Sequence, residues 1–195
     1  YRQTLFLSIG LSLACLAGTL LLGVPTAYLL ARSRNRFSRA VEELLVMPVA
    51  VPGLATALAL IVTYGGLSGF RTSSAFILVG HVLFTLPFMV RSVLAVLSVI
   101  DLKTLEEGAA SLGAGFRQRF FDIALPNCRN GILAGSLMVV TLSMGEFNMT
   151  WLLHTPFTKT LPVGLADAYA PLRLEVGRAY TLVFFLMIMP LLLAP

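Results

Sequence analysis

Glu146 stands in the run Thr141-Leu142-Ser143-Met144-Gly145-Glu146-Phe147-Asn148-Met149-Thr150, inside an otherwise apolar stretch. A carboxylate in a bilayer costs roughly 3 kcal/mol unless it is paired, protonated or wetted. Its position therefore marks either a polar path or a hydrogen-bonded join between helices. With Ser143, Asn148 and Thr150 it offers groups that a passing solute would meet. His81, in a different apolar stretch, is a further path candidate, although a lone histidine on an apolar helix is more often a satisfied packing residue. Arg91, toward the end of that same stretch, is placed to snorkel to the headgroups.

A nucleophile is harder to find. Gly66-Leu67-Ser68-Gly69 matches the Gly-x-Ser-Gly pattern of intramembrane serine proteases, with His81 or His154 as the base. Such a serine should open a helix in a buried, water-lined pocket, whereas this stretch reads as a short turn, where Gly and Ser are expected. No Gly-x-x-x-x-Gly-Lys-Ser/Thr loop is present to hold ATP. The two cysteines, Cys15 within an apolar stretch and Cys128 at the edge of another, are too differently placed to pair or to frame a metal site. The chain is read as having no catalytic residue, no metal and no cofactor of its own.

The elements that carry these residues follow from composition. With 57% hydrophobic and 12% charged residues and a mean hydropathy of +0.89, the chain is too apolar for a soluble domain. A spanning helix needs about 20 apolar residues. Five stretches meet or approach that: Leu5–Leu30, Leu44–Tyr64, Ser74–Ile100, Gly131–Leu153 and Val176–Ala194. The fold class is all-α, a polytopic membrane helical bundle forming one domain over 1–195. The chain opens without Met and stops inside an apolar run at Pro195, which fits a piece of a longer protein with at least one more helix ahead of Tyr1. Pro25, Pro48, Pro52 and Pro87 fall within the spans and predict kinks. Gly10, Ala14 and Gly18, and again Gly131 and Gly135, predict close helix approach.

Between the third and fourth spans lies a polar insert, Asp101 to Asn130. Thr104 followed by Glu107 has the spacing of a capping box, which predicts a helix start there. Glu106 and Glu107 then sit in the first turn, where negative charge suits the helix dipole. Ala109, Ala110 and Leu112 favour helix, and Gly113 is placed to take the left-handed conformation past its end. The expected helix is Leu105–Leu112. Phe116, Phe120 and Ile123 recur at helical spacing and predict a second amphipathic helix, ended by Pro126. The insert is thus a compact helix-turn-helix rather than a linker.

The net charge of +5 is spread over helix ends and makes no basic patch interleaved with aromatics, so nucleic acid is not an expected partner. Arg32, Arg34, Arg36 and Arg39 crowd the loop at 31–39. Lys103, Arg117, Arg119 and Arg129 populate 101–130. By the positive-inside rule both loops are cytoplasmic. Segments Gly65–Ser73 and His154–Glu175 then face outward, and carry Arg71, Lys159 and Arg173 against the trend.

The spacing Glu107-Gly108-Ala109-x-x-x-Gly113, nine residues, then Ile123-Ala124-Leu125-Pro126, resembles the Glu-Ala-Ala loop of permease subunits of binding-protein-dependent ABC importers. Gly131-Ile132-Leu133-Ala134-Gly135 and Gly145-Glu146-Phe147 resemble that family as well, and the likeness covers most of the chain. Gly108 departs from the pattern, which has Ala, at about 1 kcal/mol of helix propensity. The resemblance implies a bacterial inner-membrane subunit whose cytoplasmic loop seats a short coupling helix on a separate ATPase. Coupling residues carried over are Thr104, Glu106, Glu107, Gly108, Ala109, Gly113, Phe116, Ile123, Leu125 and Pro126. It further implies a cytoplasmic ATPase dimer holding ATP and Mg, a second permease subunit identical or related, and a periplasmic or extracellular solute-binding protein. The permeases resembled carry small oxyanions, organophosphonates, ferric iron or polyamines, and the expected substrate is a phosphonate or similar anion. A passive channel would share every span but gives the insert nothing to do.

Overall fold

A computed structural model describes residues 2–33, 35–169 and 174–192. Arg34, Arg173, Ala194 and Pro195, used above, lie outside the described residues. The described chain is helical, with no strand: α1 (Arg2–Arg32), α2 (Arg36–Ala50), α3 (Gly53–Tyr64), α4 (Ser68–Arg71), α5 (Ser74–Val99), α6 (Leu102–Ser111), α7 (Phe116–Asn127), α8 (Arg129–Gly145), α9 (Asn148–Leu153), α10 (Leu161–Tyr169) and α11 (Leu174–Leu192).

Two of the five expected spans, α1 and α5, are single helices long and apolar enough to cross a bilayer. The chain continues as helix through Pro25 and Pro87. The expected span Leu44–Tyr64 is instead two helices interrupted at Val51 and Pro52. Pro52 has no N–H to give and disfavours helical backbone at Val51, so its own extended conformation (φ −55°, ψ 136°) ends one helix and its carbonyl starts the next, accepting from Ala55 and Thr56. The first of these helices begins at Arg36, within the stretch read as a loop. The Asn35 carboxamide caps it, accepting from the Ser38 N–H at 2.8 Å and the Ser38 hydroxyl at 3.0 Å.

The expected span Gly131–Leu153 is also broken, at Glu146 and Phe147, and the segment read as an outer loop, His154–Glu175, contains α10 with a buried face of Leu161, Val163 and Ala168. Gly65–Ser73 holds the short α4 rather than a plain turn. A six-residue α9 and a nine-residue α10 are too short for an apolar-period reading to separate from their flanks.

The chain forms two compact units. The first takes Tyr1–Leu16, Val51–Phe84 and Val140–Pro195; the second takes Ala17–Ala50 and Thr85–Val139. In the first, Leu11, Ala57, Leu60, Phe76, Ile77, Met149 and Leu153 form one apolar core, and a smaller one gathers Leu161, Ala168 and Tyr180. The Leu161 N–H donates to the Ser8 hydroxyl at 2.7 Å, tying α10 to the start of α1. Arg71 donates to the Leu153 carbonyl at 2.8 Å and the Leu152 carbonyl at 3.2 Å, a cation on the C-terminal end of α9.

In the second unit, α8 packs against α5 at glycines. A Cβ at Gly131 would lie 2.6 Å from the Ser92 carbonyl, and one at Gly135 2.9 Å from the Met89 sulfur. The other small-residue stripe behaves differently: Gly10 and Ala14 are exposed and a Cβ at Gly10 meets nothing within 4 Å. Cys15 and Cys128 are both buried and neither is in a disulfide.

Candidate functional site

The polar insert folds as the expected hairpin, with its start and end displaced. Helix α6 opens at Leu102, three residues ahead of the expected start, because Asp101 and not Thr104 is the cap. The Asp101 carboxylate accepts from the Thr104 N–H at 3.3 Å and from the Thr104 hydroxyl. Those two bonds, the hydroxyl first, hold the Asp101 carboxyl below its usual range. Glu107 is exposed and reaches Lys103 at 3.7 Å instead of closing a capping box. Gly113 takes φ +87°, the left-handed turn expected of it.

Helix α7 opens with a cap that the sequence reading missed, the Gln118 side-chain carbonyl accepting from the Gly115 N–H at 2.8 Å. It widens into a π-helical stretch over Arg119–Ala124, then carries on through Pro126 to Asn127. Pro126 does not end it, since a proline at the first turn of a new α-helical stretch gives up a donor that has no partner there. The bend, 70°, comes after it at Cys128.

Glu106 is the residue whose role differs most from expectation. It is 4% exposed, and its Oε2 lies 2.7 Å from Nε of Arg32, the last residue of α1. The Tyr28 hydroxyl, one turn earlier, donates to Oε1. The Tyr28 ring meets Phe116 edge-on at 5.9 Å and Phe120 at 5.0 Å, and the Arg32 guanidinium lies 5.6 Å from the Phe116 ring centre. One carboxylate, one phenol, one guanidinium and two phenyl rings thus fasten both helices of the hairpin to the end of α1. The opposite side of α6 is bare: Leu105 and Leu112 are exposed with Gly108 between them, where a Cβ would meet nothing within 4 Å. Thr104, Glu107, Gly113 and Pro126 are exposed, Phe116 is half exposed, and Ala109, Ile123 and Leu125 are partly buried.

The membrane polar residues meet in the first unit. Both Glu146 oxygens accept from the opening of α9: Oε1 from the Met149 N–H at 2.9 Å, Oε2 from the Thr150 N–H at 2.9 Å and the Thr150 hydroxyl at 3.0 Å. His81 is fully buried, with Nδ1 2.8 Å from the Ser143 hydroxyl and Nε2 2.8 Å from the Thr150 hydroxyl. The Thr150 hydroxyl donates to Glu146 Oε2, which leaves its oxygen to accept from Nε2 of His81. A Cβ at Gly53 would come 3.3 Å from Glu146 Oε1, so the N-terminus of α3 also abuts the carboxylate. His81, Ser143, Glu146 and Thr150 are therefore one internal network. Asn148 is exposed and outside it.

Two features were out of reach of spacing alone. The partnership of Glu106 with Tyr28 and Arg32 joins residues more than 70 positions apart. The break at Glu146 shows in sequence only as a Gly-Glu pair within an apolar run, a pattern that marks polarity without marking a helix end. Ser68, in α4, gives its carbonyl to Thr72 and has no histidine bonded to it among the described residues.

Comparison with known proteins places this geometry. Residues 20–194 match the family model described as a binding-protein-dependent transport system inner membrane component. The "Molybdenum transport system permease protein ModB" of Mycobacterium bovis (strain ATCC BAA-935 / AF2122/97) is 30% identical over 176 residues, 83% of this chain and 66% of that protein. The protein of the same name from Escherichia coli (strain K12) is 31% identical over 175 residues, 82% of this chain and 76% of its own length. The chain thus spans about two thirds to three quarters of the length of these relatives. A chain of the MetNI methionine ABC transporter, solved in inward-facing conformations, has the same fold, with a TM-score of 0.82 at 16% identity over 97% of this chain and 90% of that one. The serine-protease reading is overturned by this match. By that match the chain belongs to the binding-protein-dependent transport system inner membrane component family, the permeases of ABC importers, and is not an enzyme.

Proposed function

We propose that this permease forms half of the translocation pathway of an ATP-driven importer for a tetrahedral oxyanion of the molybdate type. The observation that carries the coupling half of this reading is the Glu106–Arg32–Tyr28 fastening, which makes α6 a rigid extension of α1 with its Leu105–Gly108–Leu112 side free to dock. A groove on a cytoplasmic ATPase dimer receives that side, and displacement of α6 passes into α1 without a flexible joint. The ATPase holds ATP and Mg. A second permease subunit completes the path, and a solute-binding protein delivers the anion from the far side. Residues 31–39 and 101–130 face the cytosol, in the cytoplasmic membrane.

The molybdenum permeases similar to this chain support the oxyanion and displace the phosphonate expected above. Glu146 suits an anion path because its oxygens are already occupied by three donors from α9, leaving the exposed Asn148 beside the break to meet solute. The test is uptake into proteoliposomes holding the permease, its ATPase and its binding protein. Labelled molybdate should accumulate only with ATP and binding protein. Uptake of a phosphonate in preference to molybdate would overturn the substrate, and flux without ATP would overturn the mechanism.

A further inference from the structure

In the second unit, a cavity of about 470 Å³ opens between the end of α1, the start of α2 and α5. Its wall carries two guanidinium groups, Arg39 and Arg91, with a single carboxylate, Glu42. Neither arginine pairs with another described residue. Arg91 belongs to an apolar helix, eight residues short of its end at Val99, roughly 12 Å along the axis. Two like charges sharing one wall repel unless an anion lies between them. The Ser38 and Ser98 hydroxyl protons are already given to Asn35 and to the Ala95 carbonyl, so the arginines, with the Ser33 hydroxyl, are the donors on offer. A second groove of about 310 Å³ shares Leu30, Ser33 and Ser38 with this cavity and runs along Leu29, Phe37 and Val41. Phe37 is 74% exposed, a large apolar side chain beside a charged cavity.

The geometry points to a bound anionic glycerophospholipid: its phosphodiester between Arg39 and Arg91, a headgroup hydroxyl on Glu42, and an acyl chain along Leu29 and Phe37. Guanidinium forks match phosphate oxygens, and basic pockets between membrane helices hold anionic headgroups. Two cations and one anion leave a net charge of +1, which a phosphatidylglycerol neutralises and a zwitterionic lipid does not. The site goes beyond the import reading and is independent of which solute is carried.

The test is native mass spectrometry of the intact transporter offered equal phosphatidylglycerol, phosphatidylethanolamine and phosphatidylcholine of the same chain length. Phosphatidylglycerol should be retained preferentially, about tenfold less by Arg39→Gln/Arg91→Gln, and near wild-type level by Arg39→Lys/Arg91→Lys. Phe37→Ser should weaken retention of dioleoyl relative to dihexanoyl phosphatidylglycerol. Equal retention of the three lipids by the wild type, or no loss in the double variant, would overturn the site. Binding of sn-glycerol 3-phosphate alone, with displacement of the lipid, would show a soluble anion and overturn the lipid. Should the double variant fail to assemble, the wild-type lipid preference and the Phe37→Ser arm decide the matter.

Discussion

Nε of Arg32 lies 2.7 Å from Oε2 of Glu106, so the last residue of a membrane helix and the second turn of a polar one share a buried charge. The side-chain exposures, 32% and 5%, make the carboxylate the dependent partner. Losing Arg32 would leave it a single hydrogen bond from Tyr28 and no countercharge, while losing Glu106 would leave a cation that reaches water. A polar insert that merely decorated the membrane surface would not bury its acid there.

Arg32→Ala, which strips the buried Glu106 carboxylate of its cation, is expected to destabilise the second unit by about 3 kcal/mol and Glu106→Ala by less, and both should uncouple ATP hydrolysis from transport. Arg32→Met with Glu106→Leu should cost less than the sum of the single changes, because the two residues share one interaction. Denaturant unfolding of the purified permease, run beside substrate-stimulated ATPase activity, measures both. Additive single and double variants would mean that the pair is incidental.

Two glycines in the same hairpin should respond oppositely to alanine. Gly113 holds φ +87°, so Gly113→Ala is expected to cost about 1–2 kcal/mol. Gly108 is mid-helix with open space where its Cβ would stand, so Gly108→Ala should add about 1 kcal/mol to α6. Uptake should fall in the first and persist in the second. Thermal unfolding of each variant gives the sign directly.

Thr150→Val keeps the volume of the side chain but removes the hydroxyl that links His81 to Glu146. A buried ring nitrogen is then left without its partner, at a cost of about 2 kcal/mol. Thr150→Ser should restore most of it. The comparison of melting temperatures isolates the hydroxyl from the packing of the methyl group.

The carboxyl of Asp101 is held below its normal range by the Thr104 hydroxyl and amide. Its cap is therefore at full strength above the unfolded-state value, about 4, and weakens as pH falls through the lower folded value. Amide exchange at the opening of α6 should rise below pH 4 in the wild type. In Asp101→Ala it should be several-fold faster at neutral pH, with that acid-dependent rise gone.

The fold class and the hairpin were legible because each rests on local rules. Apolar length marks a span, and Gly113 announces a left-handed turn. The cap was misassigned because Asp101 and Thr104 both suit the role, and only the direction of the Thr104 hydroxyl, donating to Asp101, decides between them. Glu106 and Glu107 are neighbours of one type, and which of them is buried depends on Arg32 and Tyr28 arriving from a distant helix. The break at Glu146 escaped for a related reason. A carboxylate that ends one helix and caps the next has the same letters around it as one that faces a pore.

Helix α9 has six residues, far below the length at which a helix persists in isolation. It is clamped nonetheless, an acid seated on its opening amides and the Arg71 guanidinium on its closing carbonyls. Its survival is thereby delegated to its two ends and to its inward side chains. Asn148, exposed on the outward edge, takes no part in either clamp, so a change of its side chain leaves both ends of this short helix fastened as they are.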